Sequence, residues 1–427
     1  MAGRLRVASD VGGTFTDSIA YDERTGTITV SKVSTTPKNR ARGTVDGLRR
    51  AIALAGADGH DVGYVGHGTT TTTNAVIQRK GALTAFVTNR GFRDLLLIGR
   101  QNRPTLFDLS VVRPAQLVPQ ELCLTVAGRL GPGGVEIEPL DEEGVRAVAA
   151  ELAARKVEAV AILFLHSYAN PAHERRAQAI LEALLPGVPV CISTEVNGEF
   201  REYERASTTV LNAYLRPVMH DYLASLGTLL ADAEDGLGLA GDRPVMVMDA
   251  AGGLMSVESA RLKPVHTVLS GPAGGVVASA HVAGLAGIDD IITMDIGGTS
   301  TDISLIRKGR PEITRTNTLE TVPIRLPVID INAIGAGGGS IAWIDEGGAL
   351  RVGPMSAEAV PGPVCYGRGG TRPTVTDANL VLGRFDGESR LGGDLGLDVE
   401  TARAAIMRTI AEPLGLDLVA AAAGILR

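Results

Sequence analysis

Asp-Val-Gly-Gly-Thr-Phe-Thr-Asp at 10–17 returns as Asp-Ile-Gly-Gly-Thr-Ser-Thr-Asp at 295–302. Each copy sets two carboxylates, a glycine pair and several hydroxyls at one spacing, a set suited to gripping a phosphate chain with its cation. Gly12, Gly13, Gly297 and Gly298 let the main chain bend tightly and let a bulky anion approach it. Successive N–H groups in such a turn form an anion-binding nest. Thr14, Thr16, Thr299, Ser300 and Thr301 add hydroxyl donors. Asp10 and Asp295, at the ends of apolar runs, are placed to hold Mg²⁺ directly or through water. Asp17 and Asp302 are placed to hold a second water or to tie the loop back on itself. Phosphoryl transfer needs these parts: donors for phosphate oxygens, a hard cation, and a carboxylate that orients a nucleophile. The competing reading is a pair of plain hairpins with Gly- and Thr-rich turns. One copy would leave the two readings level, and the second copy favours the ligand-binding one. Neither copy is a Walker A loop or a dinucleotide fingerprint, because no Gly-Lys-Ser/Thr follows and each loop leads into a strand.

The repeated loops need strands to hold them. Apolar runs precede both copies (5–9 and 290–294), and strand-like runs with turns follow (18–30 and 303–314). The unit reads as strand, tight loop, strand, turn, strand, once in each of two related lobes. Three more Gly-rich segments are candidates for the same site. At 66–76 a Thr-rich turn is flanked by His67 and Asn74, which either face a substrate or bond locally. At 270–284 Gly271 and Gly274 open a small-residue helix, whose N-terminus is a ready anion site. At 333–345 Gly337 and Gly338 precede a strand. Helices are predicted over 41–55, over 141–156 with Asp141 as N-cap, over 170–185 with Pro171 near the start, and over 201–230 with a bend or break at Pro217. Buried strands are predicted at 83–89, 157–165 and 188–193. This β/α alternation predicts an α/β fold.

The 427 residues are 44% hydrophobic and 21% charged, enough for a large core in two or three domains. A net charge of −7 gives no basis for binding nucleic acid or an anionic membrane. No apolar run is as long as a membrane span, and the N-terminus lacks a signal-peptide core. Cys123, Cys191 and Cys365 are scattered without metal-ligand spacing and suit a reducing cytoplasm. Cys365 has no base near it in sequence, which favours an inert thiol.

In this order, DVGGTFTD (10–17), GHGTTTTTNAVIQRKGA (66–82), GFRDLLLIGRQNRP (91–104), EFREYERASTTVLNAYLRP (199–217), LSGPAGGV (269–276), MDIGGTSTDISL (294–305), GAGGGSIAW (335–343) and PGPVCYGRGG with TVTDANLVLGR (361–384) run the length of the chain. The chain resembles the A-type subunit of the hydantoinase/5-oxoprolinase family and, more distantly, the actin-like ATPase superfamily. The resemblance implies a two-lobed actin-like ATPase (ribonuclease H-like) fold with mixed sheets flanked by helices. It implies an N-terminal domain over 1–195 and a second over 196–427, with further residues expected beyond Arg427, where the helical run at 417–427 has no stop signal. It also implies ATP and Mg²⁺ as cofactors. The implied activity is ATP-dependent opening of a lactam or hydantoin by carbonyl phosphorylation, which for 5-oxoproline belongs to glutathione metabolism, with a B-type partner subunit. On these residues Asp10, Asp295, His67 and Asp302 are the expected catalytic groups, and Asp10 and Asp295 the metal ligands. The alternatives are a ketone carboxylase subunit, a small-molecule kinase, or a truncated nucleotide-binding remnant without activity.

Overall fold

The computed structural model describes residues 3–12, 15–36, 39–102, 107, 110, 115–239, 243–358, 360–386 and 396–427. The first octapeptide joins β1 (Leu5–Val11) to β2 (Phe15–Asp22), which continues into β3 (Ile28–Ser34). In β1, Leu5, Val7, Ser9 and Val11 are buried and the residues between them are not. That period of two marks a strand with one face on a core. Helix α1 (Arg40–Leu54) crosses this face, and β4 (Val62–Thr69) then lies parallel to β1 on its other side. Helix α2 (Thr71–Ile77) follows at once.

A second sheet is wholly parallel, in the order β8-β7-β5-β6: β5 (Thr84–Asn89), β6 (Cys123–Val126), β7 (Ala159–Leu163) and β8 (Val190–Ile192). Every residue of β5 and β7 is buried, as expected for central strands covered on both faces. Helices α3 (Glu142–Ala154) and α4 (Ala172–Leu184) lie where the sequence placed them, and the Asp141 carboxylate accepts the Gly144 N–H at 3.0 Å to cap α3.

Helix α5 (Glu202–Ala231) runs through Pro217 without the expected break. A proline removes a helical donor and crowds the preceding turn. Here the Tyr214 carbonyl in that turn accepts the Ala82 N–H at 3.0 Å, from the segment entering β5. After α5 the chain returns to the first sheet as β9 (Val245–Met248), parallel to β4, and β10 (Leu254–Ser256). The order β10-β9-β4-β1-β2-β3 thus draws strands from both sides of residue 195. Leu5, Val7, Val45, Leu48, Val65, Leu223 and Val247 share its core.

Helix α6 (Ser270–Leu285) leads into the second octapeptide, which joins β11 (Ile291–Ile296) to β12 (Thr301–Arg307); β13 (Ile331–Ile334) pairs with β12. Among the described residues β11 pairs with β12 alone. Aligning Asp10 with Asp295 sets Val7, Ser9 and Val11, at 1%, 4% and 0% exposure, against Ile292, Met294 and Ile296, at 70%, 63% and 63%. The face that α1 covers in the first lobe is open in the second. The rest of the chain forms a hairpin of β14 (Ser340–Ile344) and β15 (Leu350–Ser356) with helices α7 (Val375–Val381), α8 (Val399–Ile406) and α9 (Leu418–Leu426) around their own apolar cluster. No single helix among the described residues is long and apolar enough to cross a membrane. Cys123, Cys191 and Cys365 are all buried and unpaired.

Candidate active site

The two octapeptides fold alike. In the first hairpin Asp10 stands directly opposite Asp17 and Val11 opposite Thr16; in the second Asp295 opposes Asp302 and Ile296 opposes Thr301. The turns close with the same bond, Gly12 N–H to the Phe15 carbonyl (3.0 Å) and Gly297 N–H to the Ser300 carbonyl (2.8 Å). Gly13 and Thr14 lie outside the described residues.

Four carboxylates collect at these turns. The Asp10 side chain reaches solvent from a spot enclosed by protein. That enclosure raises its pKa above the ordinary carboxylate value, and the negative charges of Asp17 and Asp295 raise it further while Lys32 opposes them. Asp302 is shifted upward by desolvation and then by Asp295. Asp17 is held by Lys32, whose Nζ donates to both carboxylate oxygens at 2.8 and 2.9 Å. The cluster therefore couples Asp10 of one lobe to Asp295 of the other, and Asp302 to Asp295 within the second. A cation between them would relieve the repulsion that these shifts record.

The surroundings of Asp10 are made of backbone. A Cβ added to Gly68, its neighbour on β4, would lie 3.0 Å from Asp10 Oδ1, and one on Gly271 would lie 3.8 Å from the same oxygen. Gly271 is in the first turn of α6, where helical N–H groups lack intrahelical partners and the dipole favours anions. Gly274, one turn on, packs toward Met248 at the end of β9. Thr70 ties this corner together: its hydroxyl donates to the Val11 carbonyl at 2.9 Å and accepts from the Asn74 amide at 3.0 Å.

Some expected phosphate donors have other work. Thr16 is fully buried. The Thr35 hydroxyl donates to the Gly12 carbonyl at 3.1 Å, so Thr16, 3.0 Å from Thr35, donates to it in turn. Thr301, the equivalent residue, donates to the Ala336 carbonyl at 2.5 Å. Both threonines brace their loops. Gly337 and Gly338 are likewise buttresses: their N–H groups go to Ser340 Oγ (2.9 Å) and to the Gly297 carbonyl (2.9 Å). Gly339 adds a bond to the Gly298 carbonyl at 2.6 Å, and Thr376 at the start of α7 holds the Gly338 carbonyl through its N–H and hydroxyl, both at 2.8 Å. Thr299, exposed, and Ser300, half-buried, keep their side chains at the turn, where Gly298 has open space beside it.

His67 is the clearest correction. It does not face a substrate: it is 2% exposed, its Nδ1 is 3.0 Å from Ser9 Oγ and its Nε2 is 2.7 Å from Tyr222 Oη. Alternation along β4 turns it into the core. Burial pushes its pKa down to about 4, so the ring is neutral near pH 7. Sequence reading also passed over Thr35, Thr70, Gly68 and Tyr222. For Thr70 the signal was its place at the end of a strand, one residue before a helix.

Two family models meet on this chain. The hydantoinase/oxoprolinase N-terminal region matches residues 6–185 and hydantoinase/oxoprolinase matches 205–427. The chain belongs to the hydantoinase/oxoprolinase family. It is 40% identical to the caprolactamase subunit alpha of Pseudomonas jessenii over 99% of this chain and 61% of that one. The crystal structure of that organism's ATP-dependent caprolactamase superposes with a TM-score of 0.82 at 39% identity, over 99% of this chain and 61% of that one. A nucleotide-free structure of acetone carboxylase, described as carrying out ATP-dependent acetone carboxylation, gives 0.80 at 30% identity, over 99% and 61%. The 5-oxoprolinase of Saccharomyces cerevisiae is 34% identical over 93% of this chain and 33% of its own length. The chain thus spans about three fifths of the caprolactamase subunit. The two-lobed α/β architecture is of the actin-like ATPase type. The ribonuclease H-like strand order is visible in the first lobe, where β3-β2-β1-β4-β9 runs antiparallel to β1 and parallel beyond it.

Proposed function

We propose that this chain carries the ATP-handling part of an enzyme that opens a cyclic amide. The observation behind this reading is the placement of Asp10 and Asp295 at equivalent strand positions in equivalent Gly hairpins, close enough that the charge of Asp295 raises the cost of ionising Asp10. Among the described residues no three His, Cys, Asp or Glu side chains form a metal cage. Mg²⁺ does not need one, because it commonly takes one or two carboxylates and fills its remaining positions with water and phosphate oxygens. Asp10 and Asp295 fit that limited role, and Mg²⁺ bound there would offset charge on the phosphate oxygens.

The chain's own groups then divide the work. The first turn of α6 and the 297–300 turn present N–H groups, and Thr299 and Ser300 hydroxyls, to phosphate oxygens. Lys32 keeps Asp17 occupied, leaving Asp10 as the charge that faces the cleft. Asp302 is half-buried with its pKa raised, and is suited to hold a proton or a water beside Asp295. A lactam is resonance-stabilised; transfer of the ATP γ-phosphoryl group to its carbonyl oxygen releases ADP and makes the ring carbon electrophilic. Water adds there and the ring C–N bond breaks to leave an acyl phosphate, and a second water releases phosphate and the open amino acid. The named caprolactamase and 5-oxoprolinase relatives support a cyclic amide as substrate. That two relatives are called subunits supports a partner, expected to be of the B type, which would complete the substrate site.

Asp10→Ala and Asp295→Ala, assayed with the partner subunit present, should each abolish lactam-dependent ATP hydrolysis. Unchanged turnover in both would remove these residues from the mechanism. A second reading follows from the acetone carboxylase likeness, in which the same phosphorylation activates a ketone. Bicarbonate-dependent ATP consumption with acetone, and none with lactams, would favour it. An isolable phosphorylated product without ring opening would favour a kinase, and no Mg²⁺-ATP binding would favour an inactive remnant.

A further inference from the structure

His67 is a buried polar group that the proposed chemistry does not use. We infer that it is a positioning residue for Asp10, linking the strand that carries Asp10 to the helix behind it through Ser9 and Tyr222. The inference rests on Asp10 being the cation-side carboxylate proposed above.

Strands β1 and β4 pair in parallel with Ser9 beside His67 and Asp10 beside Gly68. Side chains alternate along a strand, so Ser9 points into the core and Asp10, one residue on, points into the cleft. A bond that fixes Ser9 therefore fixes the Asp10 main chain from the opposite face. The imidazole reaches Ser9 Oγ at 3.0 Å and Tyr222 Oη at 2.7 Å, and Tyr222 Oη lies 3.5 Å from Thr44 Oγ1. The chain of contacts thus joins β1, β4, α5 and α1. All four side chains are in the core of the first lobe, with Ser9 and Thr44 at 4% and 1% exposure. Their neighbours are Val7, Val45, Leu48, Val65 and Leu223.

An apolar side chain would fill this space without needing partners, whereas a buried polar chain fixes one arrangement because each unmade bond is costly. The cleft side explains why one arrangement matters. Gly68 already leaves Asp10 Oδ1 only enough room for a missing side chain, and Gly271 approaches the same oxygen from α6. A slip of β1 against β4 by a few tenths of an ångström would move the carboxylate relative to both. Burial keeps the ring neutral, so it donates through one nitrogen and accepts through the other, as the two hydroxyls require.

The test is calorimetry of ATP on the 427-residue chain with and without Mg²⁺, using His67→Asn, Tyr222→Phe and the double variant. Asparagine can replace Nδ1 toward Ser9 but cannot reach Tyr222, and phenylalanine keeps the Tyr222 ring while removing its hydroxyl. Both single changes break the same link. Each should reduce the Mg²⁺-dependent gain in affinity about fivefold, the size of one lost hydrogen bond. Metal-free ATP affinity should hold, and the double variant should be no worse than either single. Circular dichroism confirms folding; if His67→Asn does not fold, Tyr222→Phe decides alone. A folded Tyr222→Phe chain with the full Mg²⁺-dependent gain would overturn the inference and leave the role of Asp10 intact. Wild-type chain that binds ATP equally well with and without Mg²⁺ would overturn both.

Discussion

Gly337→Ala should displace a phosphate-facing turn that it never touches through a side chain of its own. A Cβ at Gly337 would stand 2.7 Å from the Gly297 carbonyl oxygen and 2.9 Å from both the N and the C of Thr299. These are backbone atoms and cannot rotate away, so the two loops must part by about 0.7 Å to reach ordinary contact. Overpacking of this kind costs about 1–3 kcal/mol. It also strains the bonds from Gly338 N–H to Gly297 (2.9 Å) and from Gly339 N–H to Gly298 (2.6 Å), each worth roughly 1 kcal/mol. If half of that reaches the bound state, Mg²⁺-ATP affinity falls roughly tenfold, since ~1.4 kcal/mol is a factor of ten. Gly298→Ala is the matched control, because nothing lies within 4 Å of its added Cβ. It should leave the loops joined and lose affinity only where a ligand approaches the main chain. Amide exchange over 297–300 gives a readout independent of nucleotide: faster in Gly337→Ala, unchanged in Gly298→Ala. Equal exchange in the two variants would refute the clasp.

Asp10→Asn should stabilise the metal-free chain near pH 7. The native carboxyl binds protons more tightly than the unfolded one, so the wild type loses stability as pH rises through the raised value. The advantage of Asn should vanish below about pH 3.8, the ordinary carboxylate value, in urea titrations across pH. His67 works in the other direction. Its pKa is about 4 when folded against 6.5 when free, so the unfolded chain binds the extra proton and stability falls as pH drops below 6.5. At ~1.4 kcal/mol per pH unit, the loss approaches roughly 3 kcal/mol by pH 4. His67→Asn should flatten this limb of the urea-midpoint profile, and an unchanged profile would place the titration elsewhere.

The repeat was legible because both halves of the chemistry are local: a carboxylate ending an apolar run, a glycine pair and a second strand. The apolar and strand-like runs flanking the repeat identified β1, β2, β11 and β12, and the shared octapeptide matched Asp10 with Asp295. The division of labour among hydroxyls was not legible. Thr16 and Thr299 look equally fit to bind phosphate in sequence, and only Thr35, 19 residues away, shows that Thr16 is committed to the scaffold. His67 misled for a similar reason, because a Gly-His-Gly segment reads as a turn until β1 and β9 flank it and make it a central strand. The bond from Ala82 N–H to the Tyr214 carbonyl, beside Pro217 in α5, is a contact no local pattern announces.

The strands that carry the two aspartates are backed differently. Asp10 is set from within its own lobe, by helices on one face of β1 and by β4 at its side. Asp295 sits on a strand whose Ile292, Met294 and Ile296 stand in water among the described residues. Covering such side chains yields about 1.5–3 kcal/mol apiece. An apolar surface laid on that face would back the strand of Asp295 as α1 backs the strand of Asp10.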